Sequence, residues 1–306
     1  VTLVSKRIAL VGAGAFGTSL AVAMRDAGVP PIVVVSRALE SAKTLADRCG
    51  APFYSETRDD LNRAHRLFLL TVPDREIEPL AADLALADLD FDKSTFVHFS
   101  GAKPASALEP LRRRGAAIGS LHAMQTFPSR DPVPLSGVRA AVEAPKRKTR
   151  AALAKLAETV GMVPFEVGEK GKTLYHLAGV AASNFMIANF ALADFAFERS
   201  GAKGADVFEV VGKTAEQTLA NAERDGYPNA LSGPVARGDL ETVRAHVEAL
   251  RAEAKGKRKS LARDALIAYV AQSLQLERML RRRDGDSEAR TAIRKYLKKE
   301  LRRALD

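Results

Sequence analysis

IALVGAGAFGTSLAVAMRDAGVPPIVVVSR, residues Ile8 to Arg37, is the stretch that decides the fold. The apolar run Ile8 to Val11 has the continuous hydrophobicity of a buried parallel strand. Gly12, Gly14 and Gly17 follow at G-x-G-x-x-G spacing, and an apolar-periodic segment then leads to Gly28, which can end a helix. The spacing has a physical reading. Gly12 permits the tight turn, Gly14 lets the backbone approach a pyrophosphate, and Gly17 lets the helix pack closely on the strand. Residues Gly12, Ala13, Gly14, Ala15, Phe16 and Gly17 are thus expected to cradle a dinucleotide phosphate at a helix N-terminus.

A second strand, Ile32 to Val35, ends in Ser36-Arg37. An NAD-specific site places Asp or Glu here for the ribose 2′-hydroxyl, whereas a hydroxyl followed by a guanidinium suits a 2′-phosphate. The expected cofactor is therefore NADP(H), against the plainer reading of Arg37 as a solvated residue opening the next helix.

A chain of 306 residues can bury a large core and is expected to form two domains. The single cysteine, Cys49, precludes an internal disulfide and suits a reducing cytoplasm. Five scattered His show no ligand spacing, so no metal is expected. The uncharged run after Lys6-Arg7 resembles a signal-peptide core, but its fingerprint glycines argue against that. A second apolar stretch, Leu174 to Phe197, is long enough for a membrane span; His176, Asn184, Asn189 and Asp194 within it favour a buried helix of a soluble protein.

The formal net charge of +10 is uneven, since residues 244–306 carry 18 Lys/Arg against 9 Asp/Glu. The runs KGKRK (Lys255 to Lys259) and RRR (Arg281 to Arg283) could attract nucleic acid, but no nucleic-acid motif or interleaved aromatics accompany them, and a solvated helical surface is expected.

Further strand-like runs occur at Leu67 to Val72, Thr95 to Phe99, Ala117 to Leu121, Val138 to Val142 and Val163 to Val167, with helix-compatible segments between. The alternation predicts an α/β, doubly wound parallel sheet of Rossmann type over residues 1–168. An all-helical C-terminal domain over 169–306 follows, with helices near 173–198, 205–224, 240–254, 260–282 and 287–304. In the last of these Ala289, Ile293, Leu297, Leu301 and Leu305 form a narrow apolar stripe on a basic helix, expected to pack on its own domain or on a second subunit.

Four strings, VHFSGA (Val97 to Ala102), GSLHAMQTF (Gly119 to Phe127), YHLAGVAASN (Tyr175 to Asn184) and SGPVARGD (Ser232 to Asp239), together resemble one family. It comprises Rossmann-like NADP-binding proteins with a helical C-terminal domain of unknown function, distantly related to pyrroline-5-carboxylate reductase, ketopantoate reductase and the deazaflavin-dependent NADP reductases. The resemblance reaches about residue 280 and implies the fold and a dinucleotide site, but little about substrate. Ala123 stands where the family would have Pro, and the basic C-terminal helix is additional.

Ligands of an open parallel sheet lie beyond the carboxyl ends of its strands. Thr71, Val72 and Pro73 are expected along the cofactor there, and Ser100 and Gly101 near its reacting carbon. His122 and His176 are the candidate proton donors. Ser183 and Asn184 are candidates for orienting substrate, with Gln125 and Arg237 as further substrate contacts. Asp239 reads as a helix cap. The function this constellation suggests is an NADP-dependent oxidoreductase passing a hydride between the nicotinamide and a small carbonyl or imine, in a homodimer with no membrane or nucleic-acid partner. The rival is a non-catalytic NADP-binding sensor or interaction protein.

Overall fold

Nearly every strand of the N-terminal half is apolar on both sides because helices cover both faces of its sheet. In a computed structural model describing residues 7–254 and 259–305, the elements of this half run β1 (Ile8–Val11), α1 (Ala15–Asp26), β2 (Val33–Val35), α2 (Leu39–Cys49), β3 (Phe53–Ser55), β4 (Leu67–Leu70), α3 (Asp74–Leu84), β5 (Thr95–His98), α4 (Glu109–Arg113), β6 (Ala117–Ala123), β7 (Arg139–Glu143), α5 (Arg147–Thr159) and β8 (Val163–Glu166). The strands form one eight-stranded sheet in the order β3-β2-β1-β4-β5-β6-β7-β8.

Alternate side chains divide between the two faces. Ala9, Val11, Phe68, Leu70 and Phe96 pack against Ile77, Leu80 and Leu84 of α3 and Leu111 of α4. Ile8, Leu67, Leu69 and Val97 pack against Leu20 and Met24 of α1 and Leu153 and Leu156 of α5. Phe68 and Phe96 stack with centroids 4.3 Å apart.

β1 through β6 are parallel, but β7 is antiparallel to β6 and β8 is parallel to β7. The all-parallel expectation is corrected at that edge, where no helix connects β6 to β7 and the return needs no crossover. Strand β3 was not expected from the sequence. It is three residues long on the sheet edge, with Phe53 and Tyr54 exposed.

The chain continues through α6 (Lys172–Ala182), α7 (Asn184–Ser200), α8 (Val207–Asp225), α9 (Pro234–Arg237), α10 (Leu240–Glu253), α11 (Lys259–Asp284) and α12 (Glu288–Leu305). The first compact unit ends at Met186 and the second spans Ile187–Asp306, whereas the sequence reading places the boundary at residue 168. Helix α6 therefore stays with the sheet.

In the second unit Val243 and Val247 of α10, Leu266 and Val270 of α11, and Ile293 and Leu297 of α12 share one core. The basic terminal helix thus packs on its own unit, where Arg294 also pairs with the buried Glu277 at 3.0 Å. Its Lys295, Lys298, Lys299 and Arg302 face solvent. The KGKRK run lies outside the described residues except for the backbone of Lys259.

The stretch Glu169–Ser200 has the length and hydropathy of a membrane span. Only Lys172 of α6 and Phe195 of α7 are buried within the chain, so the expectation of a buried helix is corrected. Helix α7 is apolar around most of its circumference, and one chain's helices do not cover all of it.

Candidate functional site

The turn after β1 has the form its glycines suggested. Gly12 adopts φ +114°, and a Cβ there would lie 2.5 Å from the Thr71 carbonyl oxygen. At Gly17 a Cβ would lie 2.6 Å from the Gly12 oxygen and 2.7 Å from Thr71 Oγ1. Thr71 Oγ1 donates to the Gly12 oxygen at 2.7 Å, so this hydroxyl secures the turn. Gly14 caps α1 without a side-chain hydrogen bond, and no acidic residue occupies the first turn of that helix. Its first N–H groups are thus available to an anion, with no competing carboxylate.

These residues border a groove of about 640 Å³ at the carboxyl ends of β1, β2 and β4. Gly12, Ala13 and Gly14 line it, with Ser36, Arg37, Val72 and Pro73. Of the three guanidinium groups along it, Arg58 is held by Asp83 at 2.6 Å. Arg37 is 81% exposed and 3.8 Å from Glu76. Arg130 donates to Ser41 Oγ at 3.1 Å. An uncapped helix start, a Cβ-free approach at Gly14 and a guanidinium beyond β2 fit a phosphorylated dinucleotide.

Thr71 and Val72 also line a second cavity, of about 200 Å³, together with Phe16, Asp74, Phe99, His122, Gln125 and Phe127. Phe16 packs on Phe99 and Phe127 at 4.8 and 5.1 Å. Behind the imidazole, His122 Nδ1 is 2.8 Å from the Tyr175 hydroxyl. The His176 ring is 6.3 Å away, and a Cβ at Gly101 would lie 2.8 Å from both imidazoles. Glycine at 101 is what allows the two rings to converge.

Lys172 lies beneath this cluster, 1% exposed. Its Nζ donates to the Ser100 carbonyl oxygen at 2.8 Å and to Ser120 Oγ at 2.5 Å. Burial pulls its amine down to about 8. Burial, assisted by the Lys172 and His176 charges, holds His122 down to about 4. The Tyr175 phenol is pushed up to about 12 by burial. At neutral pH the pair is therefore a neutral imidazole and a protonated phenol.

The sequence candidates divide on this geometry. His122, His176, Ser100 and Gly101 come together. The Ser100 hydroxyl donates to Asp74 Oδ2 at 2.6 Å and accepts the N–H groups of Ala102 and Lys103, which commits it to the turn. Ser183 bonds the Gly179 carbonyl oxygen at 2.9 Å, and with Asn184 it lies roughly 10 Å along the helical path from His176. The Gln125 side chain accepts from the Thr126 N–H at 2.8 Å. Arg237 is exposed on α9 of the second unit, where Asp239 caps α10 by accepting the Thr242 N–H at 3.0 Å. Sequence reasoning gave no role to Lys172 or Tyr175, and placed Asp74 only within the strand-end string along the cofactor. Lys172, Tyr175 and His176 stand at i, i+3 and i+4 on one helix face, a polar stripe that could have revealed them.

His98 makes acid a strong perturbant of this region. It is fully buried, its Nε2 donates to the Pro104 carbonyl oxygen at 3.0 Å, and its Nδ1 accepts the Ser100 N–H at 3.2 Å. Burial pulls its pKa from 6.5 to about 4. A depressed folded pKa leaves stability intact above the unfolded value and removes it as pH falls, because the unfolded chain takes the proton first. Between pH 7 and pH 4.5 His98 should cost on the order of 2 kcal/mol, with a smaller share from the less buried His122. Urea midpoints at the two pH values measure this. A His98→Phe variant with the same pH dependence as the wild type would refute it.

Residues 3–123 match the family of Rossmann-like domains, and residues 138–265 match the domain of unknown function DUF2520. The chain belongs to the Rossmann-like proteins that carry DUF2520. Solved structures with this fold include a Bacteroides fragilis protein assigned as an NADP oxidoreductase, with 23% identity, a TM-score of 0.72, and 90% of this chain and 99% of that one covered. An imine reductase of Aspergillus terreus has 18% identity and a TM-score of 0.62, with 97% and 100% covered. A pyrroline-5-carboxylate reductase of Coxiella burnetii has 15% identity and a TM-score of 0.53, with 89% and 98% covered. At these identities the likeness is one of fold. No curated protein matches the chain in sequence. In this DUF2520 protein all of α11 after residue 265, and all of α12, lie beyond the matched residues.

Proposed function

We propose that this DUF2520 protein is an NADP-dependent oxidoreductase acting on a small carbonyl or imine. One observation carries the reading: the glycine-lined groove and the His122 cavity share Thr71 and Val72, so a dinucleotide laid in the groove would bring its far end to the imidazole. Bound NADPH supplies a hydride from its nicotinamide C4. The chain's part is to orient and to hold a proton. Phe16, Phe99 and Phe127 shield the cavity, and His122 presents a neutral imidazole whose Nδ1 is fixed by Tyr175. With the Tyr175 hydroxyl donating to Nδ1, the imidazole proton sits on Nε2, and passage of that proton to the substrate heteroatom can be matched by transfer from the phenol. His176, with Ser183 and Asn184 farther along the chain, is the next candidate for substrate contact.

Calorimetric titration with NADPH and NADH tests the cofactor, and NADPH oxidation over panels of 2-oxo acids, cyclic imines and aldehydes tests the reaction. NADPH should bind more tightly, and Arg37→Ala should lose about tenfold of that affinity, the lower end for a charge-assisted contact because Arg37 is so exposed. Equal affinities for the two nucleotides would refute the NADP assignment. A non-catalytic sensor is favoured by one observation, that the Thr71, Ser100 and Ser183 hydroxyls are all engaged within the chain. Tight NADPH binding with silence on every panel would establish that reading.

The second unit's surface supports a homodimer. Ile187, Phe208 and Leu219 are 65%, 59% and 59% exposed. We read this apolar surface as covered by a second copy of the chain, because apolar faces of this kind mark association sites. Light scattering should give a dimer largely insensitive to salt; a monomer at micromolar concentration would refute it.

A further inference from the structure

Strands β6 and β7 are antiparallel neighbours, and a hairpin loop of two to five residues would join them. The chain instead takes residues 124–138, leaving the β6 end of the sheet to reach the helices beside β1 and β2. Three hydrogen bonds fix this excursion. The Val133 N–H donates to Ser19 Oγ of α1 at 3.0 Å, Arg48 Nη1 of α2 donates to the Arg130 carbonyl oxygen at 3.0 Å, and Arg130 Nη1 donates to Ser41 Oγ of α2 at 3.1 Å. A long connection without secondary structure, tied down far from its own strands, is the kind of loop that carries function.

Its tip carries a charge. Arg130 lines the 640 Å³ groove beside Gly12 to Gly14 and also a side pocket of about 130 Å³ between α1 and α2, with Ala13, Thr18 and Ser41. Glu40 shares that side pocket, yet among the described residues no ion pair forms between it and Arg130. Arg58 and Arg37, by contrast, each have a carboxylate within 4 Å. Arg130 is thus the groove guanidinium held in place by a neutral hydroxyl, with its remaining N–H groups free for an anion.

We propose that Arg130 binds a phosphate on the adenosine half of the dinucleotide, so that the β6–β7 excursion acts as a strap carrying a cation across the helices to the cofactor. The inference rests on the dinucleotide reading above. Its position between the Ala13 turn and the first turn of α2 lies within reach of two phosphate sources, the pyrophosphate and the 2′-phosphate, and the test separates them.

Wild type, Arg130→Ala and Arg130→Lys are titrated calorimetrically with NADPH and with NADH, with thermal melting as the check on folding. Arg130→Ala should weaken NADPH by about tenfold, the scale of one charge-assisted hydrogen bond, and Arg130→Lys by less. The melting temperature should hold, since the side chain is exposed. A loss confined to NADPH assigns the contact to the 2′-phosphate; an equal loss for both nucleotides assigns it to the pyrophosphate. Unchanged affinities in a wild type that binds NADPH overturn the proposal alone. A wild type that binds neither nucleotide overturns the dinucleotide reading and the proposal with it.

Discussion

Replacing His122 with Gln should lower turnover by about 10²- to 10⁴-fold, the range spanned by general acid catalysis, while leaving NADPH affinity nearly unchanged. The separation is expected because His122 lines the smaller cavity and is not among the residues of the glycine groove. Gln retains a donor and an acceptor but cannot pass a proton between two ring nitrogens. The pH dependence sharpens the test. Since His122 becomes an imidazolium only near pH 4, the rate should stay level between about pH 5.5 and 7, across the midpoint of an imidazole of ordinary pKa and below the range in which Lys172 loses its charge. A fall in rate centred near 6.5 would refute the neutral His122 imidazole as the proton donor. Tyr175→Phe removes the partner of Nδ1 and should reduce turnover by less than His122→Gln. If His122 serves only to pack the cavity, its loss should lower melting temperature, affinity and rate together.

The parts legible in the sequence were those set by local pattern. The run of four apolar residues before Gly12 and the spacing of Gly14 and Gly17 depend on neighbours within one strand, turn and helix, and the structure has them as read. Helices α8, α10, α11 and α12 fall within a few residues of their periodicity, for the same reason. Reversal of β7 escaped notice because an antiparallel strand beside β6 carries the same buried alternation as a parallel one. β3 escaped because Phe53 and Tyr54 lie on an exposed edge, where three residues give no period. Lys172 is the instructive omission. A lysine next to Gly171 reads as part of a polar linker, and only the placement of α6 beneath Ser100 and Ser120 shows that its amine is enclosed. The reach of Arg130 to Ser41, 89 residues away in sequence, is likewise a product of tertiary structure alone.

Within one motif, two glycine substitutions should fail for opposite reasons. Gly12→Ala places a Cβ 2.5 Å from a backbone oxygen of Thr71 at a φ of +114°, a conformation that side chains other than glycine's rarely adopt. Neither obstacle can move cheaply, since the oxygen belongs to the chain just beyond β4 and the turn is tied by Gly12 N–H donating to the Val35 carbonyl oxygen at 2.8 Å. Strain and overpacking together should cost about 3–5 kcal/mol, enough to unfold a marginal domain. Gly14→Ala is sterically different. Its φ is −84°, and the nearest atom to a Cβ there is the Thr71 oxygen at 4.0 Å, so the fold has room for a methyl group. That room lies where the pyrophosphate must approach the start of α1. Gly14→Ala should therefore melt like the wild type and lose most of its NADPH affinity, while Gly12→Ala should lose its cooperative unfolding transition. Melting curves and calorimetry on the two variants decide it. A Gly14→Ala protein that binds NADPH normally would move the phosphate away from this turn, and a stable Gly12→Ala protein would show that the turn has an alternative path.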